Sequence, residues 1–277
     1  MDEGVRITVL VENTAGGGGL LGEHGLSFWI EHAGKKILFD TGQGDVLTGN
    51  AQRLGVRLEK ADAIVLSHGH YDHTGGLHKV LQLAAQATIY AHPAAFEAKY
   101  ARGADGAGRH IGIPLPDKQS ICRHADPVWV EGPVDVGERF HLTGPVPRTT
   151  DFEDTGGAFF ADRDCTDPDR LVDYQAAFID IPVGTVVILG CAHAGVINTL
   201  RHVRSLTDSR PIHMVIGGMH LLNASPERMD KTVAELRHLD VQRLMPCHCT
   251  GLAATARLWE EFPARCAACP VGSVVEV

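Results

Sequence analysis

The 277-residue sequence predicts an α/β domain built on mixed sheet. Two observations carry that expectation. Short apolar runs alternate with segments of helical spacing, most regularly over the last hundred residues. One such run, Ala63-Ile64-Val65-Leu66, ends almost directly in His68-Gly69-His70-Tyr71-Asp72-His73, and the carboxyl end of a strand is where open α/β sheets carry their sites. The length suits one large domain with a substantial core, spanning 1–277.

The elements follow in order. Ile7–Val11 reads as a first strand and Leu26–Ile30 as a second, with Gly34 turning the chain into Ile37–Phe39. Asp45–Leu54 is a helix closed by Gly55, and the buried strand Ala63–Leu66 leads to the histidine cluster. Gly75 opens a helix to about Ala85, with Leu77, Val80, Leu81 and Ala84 at helical spacing. Thr88–Ala91 is a strand, and Pro93 starts a short helix. Residues 103–118, rich in Gly, Arg and Pro, read as a long mobile loop or lid, and 145–175 as a second irregular insertion. Ala177–Ile179 and Val186–Leu189 form a hairpin around Gly184. Val196–Leu206 is a helix and Met214–Ile216 a strand. Ser225 caps a helix that begins at Pro226 and runs to about Leu239. Arg243–Met245 is a short strand, and Leu252–Phe262 a last helix.

The apolar fraction of 44% and charged fraction of 21% are those of a soluble globular protein. A net charge of −9 argues against nucleic acid as a partner. It leaves room for a small phosphorylated substrate, because a bound cation supplies local positive charge. Met1-Asp2-Glu3-Gly4 opens without a basic stretch and apolar core, and no apolar run is long enough to span a bilayer. Cytoplasmic residence and no membrane partner are therefore expected. Seven cysteines, an odd number, argue against a disulfide framework. The sequence carries no signal of oligomeric state.

His68 and His70 lie two apart and point the same way in extended backbone, while Asp72 and His73 follow on the turn and can face a second ion. Imidazole and carboxylate together suit zinc first, with manganese or iron as alternatives. Leu66-Ser67-His68-Gly69-His70-Tyr71-Asp72-His73-Thr74-Gly75-Gly76 resembles the HxHxDH signature of the metallo-β-lactamase superfamily. Lys36–Gly42 resembles that fold's strand followed by Asp-Thr-Gly. Gly190–Gly195, Gly217–Leu221 and Pro246–Gly251 resemble one branch, the 7,8-dihydropterin-6-methyl-4-(β-D-ribofuranosyl)aminobenzene-5′-phosphate synthase-like proteins.

The resemblance implies a four-layer αββα sandwich with mixed sheets and one or two divalent ions. It implies a metal-dependent hydrolase that activates a metal-bound water on a small phosphorylated or pterin-related substrate. It assigns His68 and His70 to one ion with His193 as the distant third histidine, and Asp72 and His73 to a second ion with His248. The pattern departs from the superfamily twice: no Gly-His-Thr element lies between residues 130 and 175, and Cys191 stands where a bridging aspartate is usual. Either Cys191 bridges or His193 takes the missing ligand's place, and a one-metal site stays open. Asp72 also acts on the attacking water. His220, at another strand end, is a ligand, a charge stabiliser or a substrate contact. Asp40 belongs behind the ligands, orienting a histidine through its second ring nitrogen. Arg148, Arg109 and Lys118 are candidate phosphate contacts, with Arg102 beside them; ordinary surface charge is the plainer reading of all four.

Other features carry less. Gly16–Gly19 lacks a following helix start or Lys-Ser/Thr pair, so a flexible loop is a better reading than a phosphate cradle. Cys247, Cys249, Cys266 and Cys269 have a spacing that allows a structural zinc site, with buried thiols as the alternative. His24, His32, His78, His110, His124, His141, His202, His213 and His238 read as solvated or packing residues, and His92 as ambiguous. No Gly-x-Ser-x-Gly elbow is present, which disfavours serine catalysis. A lactone or thioester hydrolase, an iron redox protein and a non-catalytic metal-binding module are the rival classes.

Overall fold

The computed structural model describes residues 4–103, 106–121 and 127–277. His124 and Cys122 lie outside the described residues. The strands, in chain order, are β1 (Val5–Val11), β2 (Ser27–His32), β3 (Lys35–Phe39), β4 (Ala63–Val65), β5 (Thr88–Ala91), β6 (Tyr100–Arg102), β7 (Gly108–His110) and β8 (Val128–Trp129). They continue as β9 (Val134–Gly137), β10 (Phe140–Leu142), β11 (Phe159–Phe160), β12 (Ala177–Ile181), β13 (Gly184–Leu189), β14 (Ile212–Gly218), β15 (Arg243–Cys247) and β16 (Val274–Glu276). The α-helices are α1 (Leu47–Arg53), α2 (Tyr71–Thr74), α3 (Leu77–Leu83), α4 (Leu115–Ile121), α5 (Val196–Leu206), α6 (Pro226–His238) and α7 (Leu252–Glu261). Among the described residues no helix is long and apolar enough to cross a membrane.

The chain divides into two compact units. The first runs to Glu131 and takes back Phe159–Asp169 and Pro270–Val277. Its main sheet has the order β16-β1-β2-β3-β4-β5-β8. The strands from β16 to β3 pair antiparallel, and β3, β4, β5 and β8 run parallel. Its core is the apolar face of α1 and α3 against Leu10, Trp29, Leu38, Ile64 and Ile89. The carboxyl ends of β3 and β4 deliver Asp40 and Ser67-His68. A small sheet, β11-β6-β7, completes this unit.

That small sheet gives regular structure to part of 103–118, the segment read as a long mobile loop or lid. The segment holds β7 and the start of α4, and β7 and β11 each pair with β6. The sequence hides these strands because each is two or three residues long, too short for an alternation to register.

The second unit comprises Gly132–Ala158 and Arg170–Cys269. Its sheet has the order β15-β14-β13-β12-β10-β9, with β13, β14 and β15 parallel. The hairpin turns at Pro182-Val183, since Ile181 pairs with Gly184. Helix α5 buries Val196, Ile197, Leu200 and Val203 in a core shared with Val187, Leu189, Val215, Leu236 and Leu258. Ser225 caps α6 through a bond from Arg228 N–H to its Oγ at 3.1 Å.

Candidate metal centre

In the first unit, four chemistry-bearing residues sit on the turn after β4 and in the short helix α2 that follows it. His68, His70, Asp72 and His73 are all buried, His68 and His73 completely. Asp40, with no exposure, accepts from Ser67 N–H, Ser67 Oγ–H and His73 Nδ1–H, each at 2.7 Å. Ser67 has one hydroxyl proton, and it goes to Asp40. His68 therefore donates from Nδ1 to Ser67 Oγ at 2.9 Å. The consequence is a fixed ring orientation: in the neutral form, both His68 and His73 present Nε2 as an electron-pair donor.

These donors meet others. His68 Nε2 lies 3.0 Å from His70 Nδ1, so the two nitrogens share either a proton or a cation. His73 Nε2 lies 3.8 Å from Asp72 Oδ2, two groups that only a cation draws together when both offer lone pairs. The residues present fit a divalent ion, and the Asp40–His73 bond is the carboxylate-to-histidine support common behind metal ligands. His24, read from sequence as solvated, stands with Nε2 3.2 Å from the same Asp72 oxygen while remaining exposed at the surface. Phe159 brings its ring to 5.1 Å from that of His70, and Arg109 lies over the face of Tyr71 at 5.9 Å.

In the second unit, the parallel strands β13, β14 and β15 end beside one another, pairing Leu189 with Gly217 and Gly218 with Cys247. Just past those ends come Cys191 and His193, His220, and His248. Donor atoms of Cys191, His193 and His220 all lie within 4.8 Å of one another, as do those of Cys191, His248 and Cys249. His193 Nδ1 donates to the Thr155 carbonyl at 2.8 Å, which again leaves Nε2 as the donor. The ring centroids of His193 and His220 are 4.3 Å apart.

The segment that supplies Thr155 is tied down by two buried groups. Glu153 accepts from the Ile197 and Asn198 N–H groups, at 2.9 and 2.8 Å, and so caps α5, whose N-cap residue is Gly195. Burial pushes the Glu153 carboxyl above the ordinary value, a trend the two backbone bonds and Arg228 oppose. Asn198 accepts from Thr149 and Thr150 and donates to Thr150 Oγ1 and the Ala194 carbonyl. Gly156, at φ +81°, passes so close to His220 that an added Cβ would lie 1.7 Å from its Cδ2. The capping role of Glu153 needs the fold, because the residue lies far from α5 in sequence.

Cys249 joins this cluster, and not the C-terminal cysteines with which its spacing grouped it. Burial works against its ionisation, yet the Cys191 side chain and the His220 and His248 rings bring its pKa well below that of an ordinary thiol. The four-cysteine zinc site is not formed among the described residues: Cys249 joins Cys191, and no metal-competent group includes Cys247, Cys266 or Cys269. Burial raises the Cys266 thiol to about 12, as for a packed protonated sulfur. His92 has a local role, its Nδ1 accepting from Ala94 N–H at 3.1 Å. Arg102 donates to the Cys165 carbonyl, Lys118 to that of Phe96 and Arg148 to that of Arg170.

Strand ends bearing imidazoles, carboxylates and thiols give this α/β protein groups that could hold a metal ion. The chain belongs to the metallo-β-lactamase superfamily, whose family model matches residues 21–203, and it has that superfamily's fold. It is 34% identical to an uncharacterised protein of Methanocaldococcus jannaschii over 91% of this chain and 93% of that one. It is 28% identical, over 94% and 92%, to the 7,8-dihydropterin-6-methyl-4-(β-D-ribofuranosyl)-aminobenzene-5′-phosphate synthase of the same organism. The crystal structure of Tm1679, described as a metal-dependent hydrolase of the β-lactamase superfamily, is similar with a TM-score of 0.85 and 31% identity over 99% of each chain.

Proposed function

We propose that this chain is a metal-dependent hydrolase acting on a small phosphate-bearing, pterin-related substrate. One observation carries the reading: His68, His73 and His193 each have Nδ1–H committed to a protein oxygen, so that Nε2 is turned over to coordination. The proposed ligands in the first unit are His68, His70, Asp72 and His73, and those in the second are Cys191, His193 and His248, with zinc the first choice of ion. A divalent ion so held supplies Lewis acidity and a water ionised near neutral pH.

The side chains do the remaining work. Asp72 takes a proton from the attacking water, and His24 Nε2, 3.2 Å away and exposed, passes that proton to solvent. His220 steadies the negative charge that develops on the substrate. Arg109 is the phosphate contact best supported of the three, because it lies against Tyr71 at the start of the ligand-bearing turn. The substrate class comes from the synthase relative, whose name carries both a dihydropterin and a ribofuranosyl phosphate.

The test is metal analysis of the purified protein followed by hydrolysis assays on phosphodiesters, phosphomonoesters, lactones and thioesters. Phosphate-ester turnover that vanishes on chelation, returns with zinc and is lost in His68→Ala supports the proposal. Turnover of lactones or thioesters alone replaces the substrate class. A protein that takes up no metal, or a His68→Ala variant with unchanged turnover, refutes it.

A further inference from the structure

The sulfur of Cys249, after β15, is not explained by the ligand set proposed above, which already includes Cys191. Cys191 follows β13, and Cys249 shares a single 3₁₀ turn, His248–Thr250, with His248 after β15. Cys191, His248 and Cys249 are all buried, and one donor atom from each falls within a common 4.8 Å. The backbone is shaped around the second sulfur. Cys249 Sγ approaches the Cys191 carbonyl at 3.6 Å, and a Cβ at Gly218 would meet that sulfur at 2.6 Å. The Gly190 carbonyl oxygen stands at 2.5 Å from the same point, so strand β14 ends in a residue without a side chain where the neighbouring backbone and the thiol both crowd it. His248 adopts φ +50°, a left-handed conformation unfavourable for a non-glycine residue. Such strain persists where the surroundings over-determine it, commonly at ligand-binding positions.

We propose that the second unit holds a metal ion through two thiolates and an imidazole, Cys191, Cys249 and His248, with Cys249 as a direct ligand. The inference rests on the metal-dependent reading above and changes what that centre is made of. Two sulfurs and one nitrogen form a soft donor set that selects zinc, iron(II) or cobalt(II) over magnesium, calcium and manganese. These residues would hold the ion, and the chemistry it would supply is that of a Lewis acid with room left for water or substrate. A thiolate also carries negative charge to the ion, so a site with two is a weaker Lewis acid than one built of neutral imidazoles. The occupant is therefore a borderline-soft divalent cation held where the sulfurs dominate.

Cobalt(II) reports sulfur ligation directly, through an intense thiolate-to-metal charge-transfer band in the near ultraviolet. The full-length protein is stripped of metal, reloaded with cobalt and titrated spectroscopically. The wild type is expected to show the band, Cys249→Ser and Cys191→Ser each to lose one of two thiolate contributions, and the double variant to lose it entirely. Cys266→Ser, whose thiol lies outside the cluster, is expected to leave it intact. X-ray absorption on the zinc-loaded wild type needs no variant and counts sulfur neighbours at about 2.3 Å; two are expected. Metal uptake with only nitrogen and oxygen neighbours, or an undiminished band in Cys249→Ser, overturns the thiolate site and leaves the hydrolase proposal standing. Failure to take up any metal sinks both.

Discussion

Asp40→Asn isolates the support behind the ligands. The carboxylate accepts three bonds of 2.7 Å with no solvent contact. Asparagine is nearly isosteric and tolerates the left-handed backbone that Asp40 adopts at φ +58°, so the main chain is not perturbed. What changes is that two N–H groups replace one acceptor oxygen. With the remaining oxygen kept on Ser67 N–H, the amide nitrogen faces both Ser67 Oγ and His73 Nδ1. The serine rotates its proton away and accepts. His73 escapes a donor–donor clash only by moving its proton to Nε2, the nitrogen that faces Asp72. One charge-assisted bond is lost, a cost of about 1.5–3 kcal/mol in stability. Metal affinity is expected to fall about 10–100-fold, the usual effect of removing such a partner. Urea unfolding of the metal-free protein reads the first quantity, and zinc competition with a chromophoric chelator reads the second. Wild-type zinc affinity in Asp40→Asn would refute the argument that this carboxylate sets the tautomer of His73.

Three further outcomes follow from the second unit. Gly156→Ala places a Cβ against His220 on a residue at φ +81°, and should destabilise the protein by more than the roughly 1–2 kcal/mol of the backbone term alone; a smaller loss in urea unfolding counts against a rigid His220. Asn198→Ala removes five hydrogen bonds that hold Thr149, Thr150 and Ala194, with an expected cost of at least about 2–3 kcal/mol and faster proteolysis within 149–157. Glu153 has its pKa raised from 4.5 by burial, so the folded state binds this proton more tightly than the unfolded chain. Its contribution to stability is fully present below 4.5 and declines as pH rises through the folded value. The stability of the wild type relative to Glu153→Gln should therefore fall as pH climbs from about 4 towards neutrality, and a flat difference would contradict the shift.

The legible parts of this chain are those in which one stretch of residues carries its own signal. Val196–Leu206 and Thr88–Ala91 appear at their expected limits because helical spacing and a β-branched run are local. Ser225-Pro226 marks the start of α6 to the residue for the same reason. The His68–His73 cluster is equally local. Cys249 was hidden because its chemistry depends on Cys191, fifty-eight residues earlier, and the spacing of the C-terminal cysteines suggested a different partner set. Glu153 was hidden because a capping residue supplied from a distant loop leaves no mark at the helix it caps; Gly195 gives no hint of where the acceptor comes from. His24 looked like a surface histidine, and it is one, but its Nε2 reaches Asp72 across forty-eight residues of sequence.

A shared feature of the strand ends explains why the candidate residues point as they do. Asp40 after β3, Ala192 after β13, His220 after β14 and His248 after β15 all have φ between +48° and +58°. None is glycine, and at about 1–2 kcal/mol each such a set is a burden that only a well-packed scaffold sustains. The left-handed step reverses the chain just beyond the last ladder bond, so that the next side chain turns back over the strand end. At these positions glycine would relieve strain but delete the carboxylate or imidazole. Glycine appears instead beside them, as Gly156, Gly195, Gly217 and Gly218, where space rather than a side chain is needed. The cores behind each sheet therefore stabilise a local geometry that the segments would not adopt alone. Substituting glycine at Ala192, which offers no side-chain donor, should stabilise the fold by about 0.5–1 kcal/mol without altering metal affinity. If Ala192→Gly instead weakens zinc binding while raising stability, the strain at that strand end serves to hold Cys191 and His193 in place.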